Sequence, residues 1–303
     1  MALKDLLLSG FPEYCESLPS GKEVCFRPMI VSEEKALMLA KTNQDKLTIL
    51  KTLQNIMMSC CSNTKKIDIK KLKLVDFEYL FLQIRAKSIG EIEGFTIVCP
   101  HTSEQINLKI NILKDYKIFE QNVSNKIKIT ENVILVMNEP TAESLFKYPD
   151  YDKNEDSFYN FIGSCIKQIH TTTDIKECSD VSEKEMLDFI KTLTSSQFQK
   201  VLNYFDCIPR LEIIKKYTTS DNIERILSLK GLFTYVNFFF EHIDVPTFYR
   251  QIFQLKYYHN YGIQEIENMI PWEKTVHIEQ IKEQLNEEKQ IKKTQIGQIN
   301  GIR

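Results

Sequence analysis

Long apolar runs are missing from this chain: none approaches the ~18 residues a membrane-crossing helix needs, so no transmembrane span is expected. The opening MALKDLLLSGFPEY has too short an apolar stretch, an early Asp5 and no small-residue cleavage pattern, which argues against a secretory signal. Charge of one sign is missing too. Lys and Arg number 39 against 41 Asp and Glu, a formal net charge of −2, so there is no global basic field of the kind that gathers nucleic acid. The eight cysteines are scattered irregularly, with Cys60 and Cys61 adjacent, and their spacing suggests no disulfide framework. A reduced cytosol is the expected setting. Catalytic signatures are also lacking: there is no G-x-S-x-G elbow, H-E-x-x-H pair, Walker-type phosphate loop or G-x-G-x-x-G.

What is present is the composition of a globular protein, 43% hydrophobic and 26% charged, in a chain of 303 residues that can hold one large domain or two ordinary ones. The most informative stretch is DFEYLFLQIRAKSIGE, residues 76–91. Phe77, Leu80, Phe81 and Ile84 recur at helical spacing, Arg85 and Lys87 crowd the last turn, and Gly90 supplies a stop. Upstream lies LPSGKEVCFRPMIVSEEK at residues 18–35, and far downstream ENMIPWEK at residues 267–274.

Together these segments resemble the baseplate hub and hub-assembly proteins of T-even-like contractile-tailed bacteriophages, over about residues 18–289. The resemblance implies a non-catalytic structural or assembly role in the tail baseplate, with other hub or tail proteins as partners and assembly into a symmetric hub as an option. It implies no cofactor, nucleic acid or membrane. The expected location is the host cytoplasm during assembly, with the virion tail baseplate as the other destination.

The pattern predicts an α+β fold of duplicated helix-helix-β-hairpin units. Leu53, Ile56, Met57 and Cys60 match Phe158, Phe161, Ile162 and Cys165 at a shift of 105 residues, with Ile166 continuing the second helix. Phe77, Leu80, Phe81 and Ile84 match Met186, Phe189, Ile190 and Leu193 at a shift of 109. Each set precedes two apolar runs around a polar turn, and the turn residues Thr102 and Thr219 match at a shift of 117. An added helix carrying Phe198, Val201, Leu202 and Phe205 ends before Pro209. Ahead of the first unit, residues 22–31 read as an edge strand interrupted by Pro28, and Ser32 as the cap of a following helix. Pro246 opens a further helix, and Pro271 begins a last one running to Gln290. The expected divisions are 1–45 (N-terminal strand and helix), 46–150 and 151–230 (the two units), 231–290 (an all-helical module) and 291–303 (a mobile tail).

Sites weighed against this frame give little chemistry. Proteins of the resembled family carry C-x-x-C pairs in the two hairpin turns, a spacing suited to tetrahedral zinc. The matching positions here are Cys99 and Thr102, then Lys216 and Thr219, so a buried lone cysteine is expected in place of a metal site. The segment with His170, Asp174, Glu177, Cys178 and Asp180 reads as a hydrated loop, and Glu241, His242 and Asp244 as a helix boundary. The basic run Lys65, Lys66, Lys70, Lys71 and Lys73 lacks interleaved aromatics and reads as a solvated loop. The C-terminal aromatics are more telling: Phe238, Phe239, Phe240, Tyr249, Tyr257, Tyr258, Tyr261 and Trp272 exceed what one helical face can hide, so they form either an internal core, glued in part to the duplicated region, or a surface that binds a partner protein. Two other classes stay open. A metal- or thiol-dependent enzyme would show stoichiometric metal or a selectively reactive cysteine, and a nucleic-acid-binding module would show binding that weakens steeply with salt.

Overall fold

The computed structural model describes residues 10–61, 67–240 and 244–300, with side chains left aside over 292–300. Two short strands, β1 (Tyr14–Ser17) and β2 (Glu23–Phe26), pair antiparallel and set Cys15 opposite Cys25, which form a disulfide. This corrects the expectation of reduced cysteines throughout: spacing along the chain reveals no framework, but a hairpin register brings these two face to face. The strand ends at Phe26, ahead of Pro28, which has no N–H for a ladder. Helix α1 (Val31–Thr42) starts before Ser32, with Ile30 as its N-cap residue. The capping expected of Ser32 is done by the Glu33 carboxylate, which accepts the Ile30 N–H at 3.0 Å. Glu33 is itself held by Arg27 at 2.7 Å.

Helix α2 (Lys46–Cys60) is capped by Asp45, whose carboxylate accepts from the Leu47 and Thr48 N–H groups. Helix α3 (Leu74–Ile89) carries the sequence's strongest signal and stops at Gly90, whose φ of 148° suits only glycine. Every residue over 75–86 is buried, polar ones included, so α3 is surrounded on all sides. Its Arg85 donates to the Gly90 carbonyl at 2.9 Å, contacts the Glu93 carboxylate and lies over the Phe239 ring.

A hairpin follows, β3 (Ile92–Val98) with β4 (Gln105–Asn111), then β5 (Tyr116–Phe119), β6 (Lys126–Lys128) and β7 (Val133–Met137). Helices α4 (Ala142–Lys147) and α5 (Glu155–Ser164) lead into β8 (Ile166–Thr171) and β9 (Ile175–Glu177). Two expectations change here. The helix through Phe158 and Phe161 does not include Cys165 and Ile166, because Ile166 starts a strand paired to β7. The loop expected around His170 is instead a hairpin whose Ile166 and Ile169 face the core while its polar residues face water. Helices α6 (Glu183–Thr192), capped by Ser182, and α7 (Ser195–Cys207) then precede the second hairpin, β10 (Arg210–Thr218) with β11 (Glu224–Lys230). The chain closes with α8 (Leu232–Phe239), α9 (Val245–Tyr258), α10 (Ile263–Asn268) and α11 (Pro271–Asn300). The last helix runs on as helix through Asn300, past the expected end at Gln290, since the Glu-, Gln-, Lys- and Ile-rich sequence there holds good helix formers and no proline.

The sheets are small and antiparallel, in the orders β1-β2, β11-β10-β5, β3-β4 and β6-β7-β8-β9. The molecule is thus a mixed α+β protein with C-terminal helices. Its largest apolar cluster surrounds α3 and takes residues from Leu18 to Phe240, including Leu211, Ile213 and Leu229 of the second hairpin. A second cluster joins β6 to β8 with α5 to α7. The third lies between α1 and the C-terminal helices, where Val31 and Met38 meet Phe248, Leu255, Ile266, Ile278 and Ile281.

Candidate interaction surfaces

The two long hairpins end side by side. Cys99 donates its N–H to the Glu104 carbonyl at 2.8 Å, and Thr219 donates to that of Ile223 at 3.4 Å. Each turn has a left-handed residue just before the closing partner, Ser103 (φ 58°) and Asn222 (φ 60°). Cys99 and Thr219 each close their turn, the second turn is one residue shorter, and Thr102, matched to Thr219 in the sequence, stands inside its turn and does not close it. Across the tips, the Glu104 carboxylate accepts from the Ser220 N–H at 3.1 Å and from its hydroxyl, and the Tyr217 hydroxyl meets Cys99 Sγ at 3.7 Å. Arg225 grips Asp221 at 2.6 Å and contacts the Thr219 hydroxyl. The Thr219 hydroxyl, then Arg225, hold the Asp221 carboxyl down at about 2.

A four-cysteine zinc site does not fit these tips. Cys99 is their one thiol; Thr102 and Thr219 are hydroxyls, and the Lys216 ammonium is paired with Glu224 at 2.7 Å. Hydrogen bonds join the two tips, and charge pairs brace the second hairpin from within. Cys99 itself is buried, and its thiol is lowered to about 7, chiefly by the Thr102 hydroxyl and further by the neighbouring N–H groups and Tyr217.

Four other thiols are held towards the protonated form. Burial raises Cys60 and lifts Cys61 and Cys165 to about 12. A cavity of about 330 Å³ lined by Lys147, Tyr148, Ser164, Cys178 and Glu183 brings suitable residue types together. Burial and then Glu177 push its Cys178 to about 11, and its Lys147 is taken by Glu183 at 2.5 Å. Among the described residues no group of three or more His, Cys, Asp and Glu could hold a metal ion. The His170 segment therefore gathers no ligand set, while Glu241 and His242 lie outside the described residues. Lys65 and Lys66 lie outside them too. Of the rest of that basic run, Lys73 is paired with Glu139 at 2.7 Å.

The C-terminal aromatics divide into two groups. Phe239 and Phe240 are buried in the largest core, with Phe240 against Phe81, and Phe238 packs its ring on Phe95 with centroids 4.3 Å apart. These three rings follow the internal alternative: the end of α8 lies on the α3 core, so consecutive rings find neighbours within the chain on different sides. Tyr261 is half-buried beside His277. The others face solvent: Tyr249 is 49% exposed, Tyr257 70%, Tyr258 43% and Trp272 45%. Phe253, an apolar residue of the helix that Pro246 opens and not among the expected partner-binding rings, is 63% exposed. Its position four residues after Tyr249 and four before Tyr257 was the signal that could have found it.

These rings are carried on a firmly seated support. The Val31 N–H donates to the Met269 carbonyl at 2.9 Å, Lys35 pairs with Glu267 at 2.8 Å, and the buried Lys274 meets the buried Glu34 at 2.8 Å while lying over the Phe248 ring. Among the described residues, no helix is long and apolar enough to cross a membrane.

The chain belongs to the T4 bacteriophage base plate protein family, whose model matches residues 12–239. It is thus a bacteriophage baseplate protein, of a structural and generally non-catalytic family whose members have other baseplate proteins as partners. Searches of curated proteins and of solved structures gave no significant match. Helices α9 to α11 lie beyond the matched region.

Proposed function

We propose that this chain is a structural or assembly component of the baseplate hub, without catalytic activity, and that it docks other hub or tail proteins through the exposed rings of α9 and α11. The observation that carries this reading is the row Tyr249, Phe253 and Tyr257, left open to solvent on α9, whose Phe248 and Leu255 are buried in one cluster with Val31 and Met38 of the family-matched body. Large exposed rings on a rigid support are the usual anchors of protein interfaces. Trp272 adds a second anchor at the start of α11. Assembly takes place in the host cytoplasm, and incorporation into a symmetric hub or release after assembly are the two possible fates.

The recurring order of two helices and a hairpin, and the matching left-handed residues at both tips, support related units over 46–150 and 151–230. On this reading the second hairpin is the counterpart of the first, with β8, β9 and α7 added ahead of it.

Co-expression with the other baseplate proteins of the same phage tests the docking role. The full-length chain should co-purify with at least one of them, and Trp272→Ala and Phe253→Ala should reduce capture while leaving the fold intact by circular dichroism. Unchanged capture by both variants would remove the C-terminal rings from the interface. Quantifying the chain in purified virions against infected-cell lysate distinguishes a hub subunit from an assembly factor.

A further inference from the structure

We propose that the row Tyr249, Phe253 and Tyr257 receives an amphipathic helix with acidic flanks from a partner protein; this rests on the docking role proposed above and adds the chemistry of the partner. The three residues stand four apart on α9, so at ~100° per residue they fan over about 80° of its circumference. Arg250 and Lys256 fall about 20° beyond the two edges of that fan, one on each side. Neither forms an ion pair with a described residue.

No carboxylate lies within α9 to balance them. The Asp244 carboxylate at its start accepts the Thr247 N–H at 2.5 Å and feels the charge of Arg250 without pairing to it, so Arg250 is in part offset while Lys256 is not. Near Tyr249, Lys35 sits over the ring at 5.6 Å, but its charge is met by Glu267. The surface is therefore an apolar row with a cation on either border, complementary to apolar residues bordered by carboxylates.

The form of the occupant follows from the row itself. Side chains four apart make a ridge that packs between the corresponding ridges of a second helix, and this ridge is partly preformed, since Phe253 and Tyr257 stack with centroids 5.8 Å apart and planes 17° from parallel. Rings already ordered lose little freedom on binding.

The test uses the full-length chain and two designed helical peptides of equal helicity. Both carry leucines at i, i+4 and i+8, flanked in one by glutamates and in the other by lysines. By fluorescence anisotropy the glutamate peptide should bind at least tenfold more tightly than the lysine peptide, and its affinity should fall as salt is raised. Phe253→Ala, and separately Arg250→Glu with Lys256→Glu, should each weaken it at least tenfold; all three positions are exposed, so folding is not at stake.

Equal binding of the two peptides, binding of neither, or an unaffected Phe253→Ala variant would overturn the acidic-helix proposal. So would sedimentation showing self-association that Phe253→Ala abolishes, because the occupant would then be a second copy. The same variants in the co-expression capture keep the two claims apart. Loss of capture by Phe253→Ala without peptide discrimination leaves the docking role standing and removes only the acidic helix.

Discussion

Phe81 and Glu78 sit three residues apart on α3 and have opposite relations to burial. The Phe81 ring is almost wholly enclosed and packs against Phe240, so Phe81→Ala should cost about 3–5 kcal/mol in denaturant unfolding. A loss under about 1 kcal/mol would mean that the surroundings collapse onto the gap. Glu78 is a carboxyl in the same interior, where burial pushes it up to about 8 although it accepts a hydrogen bond from the Leu232 backbone. That bond serves the first residue of α8, whose preceding Gly231 offers no side-chain cap. Because the folded-state value lies above the unfolded one of 4.5, the stability tied to the neutral acid is complete below about 4.5 and is lost as pH rises through about 8. Urea unfolding of the native chain and of Glu78→Gln between pH 5 and 8.5 should show the native chain losing ground to the variant, by on the order of a few kcal/mol over the window. Parallel pH profiles would contradict this.

At the scale of elements, the two hairpin tips predict folding that is indifferent to chelators. Elemental analysis should find no stoichiometric zinc, and treatment with EDTA should leave the unfolding midpoint unchanged; one zinc per chain with unfolding on its removal would show that ligands assemble here after all. Cys99→Ser should cost little beyond local packing, whereas Arg225→Ala, which frees Asp221 and removes the grip on Thr219, should loosen both turns in hydrogen exchange.

The elements also show what could be seen from residues alone. Helices α2, α3, α6 and α7, both long hairpins, and the proline-led starts of α9 and α11 were legible because each has a strong period and its own stop or cap. The strands β1, β5, β8 and β9 were not, since short strands gain their meaning from the neighbour they pair with. The disulfide was hidden for the same reason. The docking rings were half legible: composition flagged an excess of aromatics, but only tertiary packing decides that Phe239 goes inside and Phe253 stays out.

For the molecule as a whole, the C-terminal helices are attached through an apolar cluster that encloses one buried charge pair. Lys274→Ala leaves the Glu34 carboxylate enclosed without its cation and should destabilise the contact between α1 and α11 by about 3–5 kcal/mol. Hydrogen exchange should then rise in α9 to α11 while α3 stays protected. Replacing both partners with Met should recover most of the loss, because an apolar pair of similar volume avoids the cost of desolvating two ions. Equal exchange across the whole chain would mean that the module and the body unfold as one unit.

The cluster around α3 joins Leu18 to Phe240, and this span bears on how the chain is made. A ribosome releases the first hairpin and α3 long before α8, so the longest apolar helix in the body emerges without one of its walls. The cluster built from residues 127–208 has all its members close in sequence and can close while synthesis continues. Birth order therefore runs against core order: the middle of the chain can fold early, and the earliest helices wait for β11 and α8. During that wait α3 is the segment that chaperones, or a baseplate partner already present, would meet first.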